Sequence, residues 1–472
     1  MKSLEASKLQ LKMCKINKYK ICYAFFLSWF LAVVFNGSVT STVRQILIPD
    51  SNYMLLVTLL AFIAGLIISG FFINNMNQAK FYTLISSLIC FIFSFGLFGN
   101  AILLKASVIL ISLFSGAATA GWGYFFKNCF FGRDRFMAIA DILIIANIAQ
   151  IPVCVSIEFI SLYLGFGIAM VYLIIAAITA FKIDDSEVVK ADTRYIIEYK
   201  PELKYPLIFL YLFVFLVSIS VGLNYQVIGP QFSQFTYLDG FYGFMIYALG
   251  AFAVKKLSVK FNHYYTLYIA IAMIGLTVIS FVAFDDTLVS YLLVNTLTNI
   301  ANAVLDLFCW CFIGELLNLT KKASLLFGIA ISANLLGVFT GGIFAIPVNN
   351  AVDVEEALVI TSITVVLIML VLFPILNKVL SCIFKDNIFL LGSVQLPEEE
   401  EENYSFDDVL KEYKLTKREI EVAHVLIENT GTYKMIANEL NISENTAKTH
   451  IKNIYSKLGI NSRVELINLS LK

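Results

Sequence analysis

The sequence predicts an all-α chain: a polytopic transmembrane helical bundle of about twelve spans, arranged 6+6, followed by a small soluble four-helix domain built on a helix-turn-helix. Three observations point there. The 472 residues are 59% hydrophobic and only 14% charged, whereas soluble domains carry about 25% charged residues. Formal net charge is zero, but charges are scarce over 20–376 and dense over 385–472. The last seventy residues or so then change character into short amphipathic segments with helix start and stop signals. This composition excludes an ordinary soluble enzyme, and a disordered chain as well, since disorder needs low hydrophobicity and high net charge.

The chain opens with a basic segment, 1–20, carrying Lys2, Lys8, Lys12, Lys15, Lys18 and Lys20. The apolar run after it is too long for a signal-peptide core and lacks a small-residue cleavage site, so it reads as an uncleaved first span. About 20 helical residues cross a hydrocarbon core, and in lipid only helices or closed barrels satisfy the backbone. On that criterion the spans fall at 21–43, 53–73, 81–99, 102–126, 136–156, 159–181, 207–229, 237–254, 264–284, 287–317, 324–346 and 355–376. The eight cysteines lie in or beside these apolar runs without a CxxC pair. Neither a disulfide framework nor a metal site is supported.

Lys/Arg bias orients the bundle. With the N-terminus inside, the inner segments hold 20 Lys and Arg against only Arg44 and Lys105 on the other side, so both termini are expected in the cytoplasm. The first half, 21–181, and the second, 207–376, flank a polar middle loop, 182–206, with Pro201 and Pro206. This 6+6 pattern with a long cytoplasmic middle loop resembles the major facilitator superfamily. That resemblance implies two halves around a central cavity lined by spans one, four, seven and ten. The family's acidic and basic loop motif between spans two and three is replaced here by Asn74, Asn75 and Asn77, which argues against active transport.

A linker, 377–404, contains Glu398–Glu402, a like-charge run that stays solvated. The tail domain, 405–472, follows. Thr416-Lys417-Arg418-Glu419 is a capping box, opening a helix to about Glu428. A second helix runs from Thr432 to Leu440, and a turn over Asn441-Ile442-Ser443 leads, with Ser443 as N-cap, into a third over Glu444–Leu458. Gly459 stops it, and a last amphipathic helix starts near Ser462. Two helices joined by a tight turn form a helix-turn-helix. At 100° per residue, Ala447, Ile451, Ile454 and Leu458 share one narrow apolar face. Asn445, Lys448, Thr449, Lys452 and Ser456 share the opposite face, which reads as free of acidic residues. Lys, Thr and Asn presented on a helix suit the base edges of the major groove.

Leu415-Thr416-Lys417-Arg418-Glu419-Ile420, Lys434-Met435-Ile436-Ala437, Leu440 through His450, and Asn453 through Arg463 together resemble the LuxR/GerE-type DNA-binding domain. The resemblance covers about 55–60 residues. It implies double-stranded DNA as partner, base reading by Lys448, Thr449 and Lys452 beside Asn445, and phosphate contacts by Lys434, Thr446, Asn453 and Lys457. It also implies a bacterial origin, hence the inner membrane, and a homodimer on a two-half-site operator. Residues 403–472 hold 10 basic and 9 acidic side chains, so non-specific affinity, which comes from phosphate neutralisation, is expected to be weak without dimerisation. The last helix, with Val464, Leu466, Ile467, Leu469 and Leu471, has an apolar face for either a dimer contact or the monomer core.

Polar groups inside a bundle tend to face its interior. Asn295, Asn299, Asn302 and Asp306, spaced 4, 3 and 4, make one stripe on the tenth span. With Trp122 (in a stripe with Ser112, Ser115 and Thr119), Asn224 and Ser220, and Asn36 on the first span, they form a candidate small-molecule site; interhelical hydrogen bonding is the competing use. No nucleophile–base pair, metal cluster or phosphate loop is present, so neither enzymatic activity nor a cofactor is expected. Two readings remain: a membrane-embedded one-component regulator that senses a small molecule or membrane signal, or a secondary transporter with an autoregulatory tail.

Overall fold

The computed structural model describes residues 2–34, 37–47, 53–130, 132–183, 204–223, 232–235, 238, 241–257, 263–284, 287–317 and 322–349, and isolated positions from 360 to 374. In the tail it describes 410, 413, 415–428, 436–437, 440, 442–458, 460 and 466. The chain divides into two compact units, Met1–Val394 and Gln395–Lys472.

The larger unit is helical. Its helices are α1 (Lys2–Val33), α2 (Ser38–Leu47), α3 (Tyr53–Phe72), α4 (Met76–Ser94), α5 (Ala101–Cys129), α6 (Gly132–Phe159) and α7 (Leu162–Phe181). The second half holds α8 (Lys204–Leu223), α9 (Tyr242–Leu257), α10 (His263–Ala283), α11 (Leu288–Leu316) and α12 (Ala323–Asn349). Among the described residues, eight helical stretches are long and apolar enough to cross a membrane, and Tyr211–Leu223 and Ile269–Phe281 are shorter apolar helices. Each of these ten, and α9, overlaps in position one of the first eleven expected spans. The twelfth, 355–376, lies largely outside the described residues.

Local signals set several boundaries. Asn75 caps α4 through the Gln78 amide at 2.8 Å, and Asn100 caps α5 through the Leu103 amide at 2.9 Å. The junction expected near 156–159 sits at 160–161 instead. There the Ile160 and Ser161 amides both return to the Ser156 carbonyl, and Ser161 caps α7 through the Tyr163 amide. The first span also differs from expectation. Helix α1 begins at Lys2, through the segment read as a basic tail, and the run breaks after Val33 before α2. Gly37 is pressed against Ala32, where a Cβ would sit 2.4 Å from its backbone carbon, and the Thr40 hydroxyl donates to the Val33 carbonyl.

Small residues let the backbones approach. A Cβ on Gly65 would stand 1.9 Å from the Leu113 oxygen, joining α3 to α5. One on Gly222 would stand 2.0 Å from the Val338 oxygen, and one on Gly341 2.1 Å from the Ile219 oxygen, joining α8 to α12. The pairing repeats between halves. Numbering spans within each half, contacts 2–4, 3–4 and 1–5 occur as α3–α5, α4–α5 and α1–α6 in the first, and as α9–α11, α10–α11 and α8–α12 in the second. Across the halves, span 2 of one meets span 5 of the other in both directions, as α3–α12 and α9–α6. Reciprocal contact of this kind is what a two-fold relation between the halves produces.

The surface of the unit inverts the soluble pattern. Phe71, Phe81, Leu88, Ile92, Ile102, Val171, Leu249 and Val289 are exposed, while Ser86, Ser87, Ser94, Ser112, Ser115 and Thr119 are buried. Several buried hydroxyls are satisfied within their own helices, Thr83 on Ala79 at 2.8 Å and Ser94 on Cys90 at 2.7 Å. Cys22, Cys90, Cys129, Cys154, Cys309 and Cys311 are buried and outside any disulfide.

Candidate nucleic-acid interface

The tail packs Leu410, Leu415, Val422, Ala423, Leu426, Ile436, Ile451, Ile454, Leu458 and Leu466 into its own core. Its two long described helices are α13 (Lys417–Glu428) and α14 (Glu444–Leu458). The capping box forms as the residue types require. The Thr416 amide donates to the Glu419 carboxylate at 2.7 Å, the Thr416 hydroxyl donates to it at 2.9 Å, and the Glu419 amide donates back to the Thr416 hydroxyl at 3.3 Å. Between α13 and α14 only Ile436, Ala437 and Leu440 of the middle helix are described; Ile436 and Ala437 are helical and buried. Arg418 clasps the Leu440 carbonyl at 2.6 Å, and the Ile442 amide reaches the Ala437 carbonyl at 2.9 Å, closing the turn. Ser443 then caps α14 through the Thr446 amide at 3.1 Å.

This frame buries Ala447, Ile451, Ile454 and Leu458 and exposes Asn445, Thr446, Lys448, Thr449, Lys452 and Asn453 on α14. Lys434 lies outside the described residues. His450 is half-buried beside the core face. Among the described residues no carboxylate pairs with Lys452. Lys448, by contrast, pairs with Glu444 at 2.8 Å. This corrects the reading of the outward face as free of acid: Glu444 stands one turn before Lys448, 40° away on the helical wheel at 100° per residue. An exposed pair of this kind contributes only about 0.3–0.5 kcal/mol, so the ammonium remains exchangeable. The Thr449 hydroxyl donates to the Asn445 carbonyl at 2.9 Å.

Lys457 has a partner inside the domain: its ammonium meets the Glu419 carboxylate at 2.7 Å, linking the C-terminal turn of α14 to the first turn of α13. Glu419 is only 3% exposed. Burial works against its charge, but the Lys457 ammonium and the Thr416 amide and hydroxyl outweigh burial and hold its carboxyl below the ordinary range. Leu466 belongs to the monomer core; Val464, Ile467, Leu469 and Leu471 lie outside the described residues.

Comparison with known proteins places this geometry. Residues 413–470 match the profile of bacterial regulatory proteins, luxR family (GerE). The spore germination protein GerE of Bacillus subtilis is 47% identical over 53 residues, covering 11% of this chain and 70% of that protein. The chain belongs to the luxR family. The nitrate/nitrite response regulator protein NarP of Escherichia coli is also similar, 47% identical over 58 residues, but the match covers 12% of this chain and only 26% of that relative. The luxR-family segment is the DNA-binding domain of a transcription regulator, and a helix-turn-helix of this family implies binding to DNA.

The ligand candidates of the bundle are not all brought together. A cavity of about 110 Å³ is lined by Asp306, Trp310, Tyr23, Thr119 and Asn334, among others. Asp306 alone of the tenth-span stripe reaches it. Asn295 donates to the Tyr291 carbonyl at 3.2 Å and Asn299 to the Asn295 carbonyl at 2.9 Å, both within their own helix, and Asn302 is half-buried outside the lining. Trp122 is fully buried behind the cavity, stacked on Tyr23 at 3.9 Å and on Phe126 at 4.7 Å. Ser220 donates to the Val217 carbonyl at 2.6 Å. Asn224 and Asn36 lie outside the described residues.

Asp141, expected to pair with loop lysines, does so, and two further charged features escaped sequence reading. Asp141 on α6 binds Lys20 on α1 at 2.8 Å and also Lys255 on α9, so the carboxylate joins the two halves. Arg135, counted among loop cations, is 1% exposed and lies over the Phe126 ring at 5.4 Å. The other is the Glu444–Lys448 pair. Only the last was recoverable from spacing, as an i,i+4 pair.

Proposed function

We propose that the chain is a membrane-embedded one-component transcription regulator: a bundle resembling the major facilitator superfamily senses a small molecule and controls the luxR-family tail. The observation that carries this reading is the joining, in one chain, of a bundle with apolar residues outside and hydroxyls inside to a DNA-binding domain of the luxR family. The matching helix pairs of the two halves support the superfamily likeness, and the long apolar helices support insertion in a bilayer. For a bacterial regulator that bilayer is the inner membrane, with twelve spans and both termini cytoplasmic.

Lys448, Thr449 and Lys452 read bases, with Asn445 at the entry of the helix. Thr449 commits its hydroxyl to the helix, which leaves its methyl for contact with a thymine methyl. Thr446, Asn453 and Lys434 touch phosphates, the first at a helix N-terminus, where amide groups favour anions. Dimerisation on two half-sites, typical of the family, supplies the affinity that a nearly neutral domain lacks. Ligand control requires unequal affinity for two arrangements of the bundle. The test is footprinting with the full-length chain in membranes. A discrete protected site that responds to a solute supports the reading, and protection lost in Lys448→Ala and Lys452→Ala supports the assignment. Solute flux in proteoliposomes with no change in DNA occupancy would transfer the bundle to the transporter class.

A further inference from the structure

The cavity beside Asp306 has a chemistry that selects its occupant. Asp306 accepts the Tyr247 hydroxyl at 2.7 Å, and among the described residues no Lys, Arg or His pairs with it. A carboxylate inside a bundle is costly unless a countercharge meets it. The polar neighbours Thr119 and Asn334 do not provide one, and each spends a donor outside the cavity lining. The Thr119 hydroxyl donates to the Ser115 carbonyl at 2.8 Å, and the Asn334 amide donates to Ser218 at 2.9 Å. What remains toward a solute is mostly acceptor capacity: the Asp306 carboxylate and the Asn334 carbonyl, with one Asn334 N–H beside them.

The rest of the wall is aromatic. Tyr23, Phe26, Phe30, Phe62 and Trp310 line the space, and Tyr23 lies 5.9 Å from Trp310 at 59°. Ring faces carry negative quadrupole density and attract cations, most strongly where water is excluded. Acceptors, electron-rich rings and one carboxylate with no cation on it among the described residues together favour a positive donor. Size sets a second limit. A dry apolar cavity of about 150 Å³ holds benzene, so the roughly 110 Å³ here takes a slightly smaller body.

We propose that this cavity binds a compact protonated primary amine with an apolar body of about four carbons, its ammonium on Asp306 and Asn334 and its chain against Tyr23, Phe30 and Trp310. The inference rests on the sensor reading and names the class of its ligand.

The full-length chain in detergent is titrated with n-butylammonium chloride, followed by calorimetry and by tryptophan fluorescence, since Trp310 lines the site. Neutral 1-butanol, butyrate and sodium chloride are titrated alongside. Saturable n-butylammonium binding at least about tenfold tighter than 1-butanol is expected, with that preference lost in Asp306→Asn and retained in Trp310→Phe. Equal binding of 1-butanol, tighter binding of butyrate, the same response to sodium, or no saturable binding of n-butylammonium to the wild-type chain would overturn the proposal. The wild-type comparison stands whether or not Asp306→Asn folds. Amine binding that leaves DNA occupancy unchanged would defeat the sensor reading alone. A DNA response to another solute without amine preference would defeat this proposal alone.

Discussion

Replacing Glu419 with alanine removes three described contacts at once: the acceptor for the Thr416 amide, the acceptor for its hydroxyl and the countercharge for Lys457. A lost helix cap costs about 1 kcal/mol, and a lost charge-assisted hydrogen bond about 1.5–3 kcal/mol. The sum, roughly 2.5–4 kcal/mol, approaches the ~3–5 kcal/mol that one core supplies to a domain of this size. Glu419→Ala in the tail fragment 395–472 is therefore expected to unfold at a much lower urea midpoint by circular dichroism. Glu419→Gln, which keeps an acceptor for the Thr416 amide, should recover about half of the loss. The pH dependence follows from the same contacts. The folded carboxyl is held low, so its contribution is complete above the unfolded value of about 4.3 and disappears as pH falls through the folded value. The wild-type tail should thus lose stability below about pH 4.3 more steeply than Glu419→Gln. An alanine variant within about 0.5 kcal/mol of wild type, or identical acid profiles for wild type and glutamine variant, would show that Glu419 does not hold the domain together.

Other expectations concern the reading helix and the bundle. Lys452→Ala should weaken specific binding by about 1–3 kcal/mol in gel shift. Glu444→Gln, which frees Lys448 from its 2.8 Å partner, should tighten binding by a few tenths of a kcal/mol, most visibly at low salt. Gly222→Val places a Cβ 2.0 Å from the Val338 oxygen; it should destabilise the α8–α12 crossing by about 1–3 kcal/mol, read as a lower melting temperature in detergent. Gly167→Ala, where a Cβ meets nothing within 4 Å, should leave that temperature unchanged. Asp141→Asn removes the ion pairs to Lys20 and Lys255 that join α6 to α1 and α9; it should lower the melting temperature in detergent.

Local physics was legible and distant pairing was not. The capping box needed only Thr416 and Glu419 three residues apart, and it forms with both reciprocal bonds. The apolar face of α14 was fixed by 3.6-residue periodicity, and all four of its residues are buried. Lys457, however, looks like any solvent lysine until the fold brings Glu419, 38 positions away, within 2.7 Å. The tenth-span stripe shows the same limit. Periodicity put Asn295, Asn299 and Asp306 on one side, yet only Asp306 reaches the cavity, because the two asparagines bond to carbonyls one turn back. Trp122 is a large aromatic that reads equally well as lining or core, and neighbouring rings enclose it. Asp141 could be paired with lysines in general, but choosing Lys20 and Lys255 required the packing of α1, α6 and α9.

DNA cross-linked in living cells to the full-length chain, recovered from the membrane fraction and sequenced, tests most directly whether a bilayer-held bundle presents a functioning reader to the chromosome. A membrane-held reader yields a small set of discrete genomic sites that sediment with membranes and vanish in the Lys448→Ala, Lys452→Ala double variant. A flat genomic background, or discrete sites indifferent to both substitutions, would contradict it.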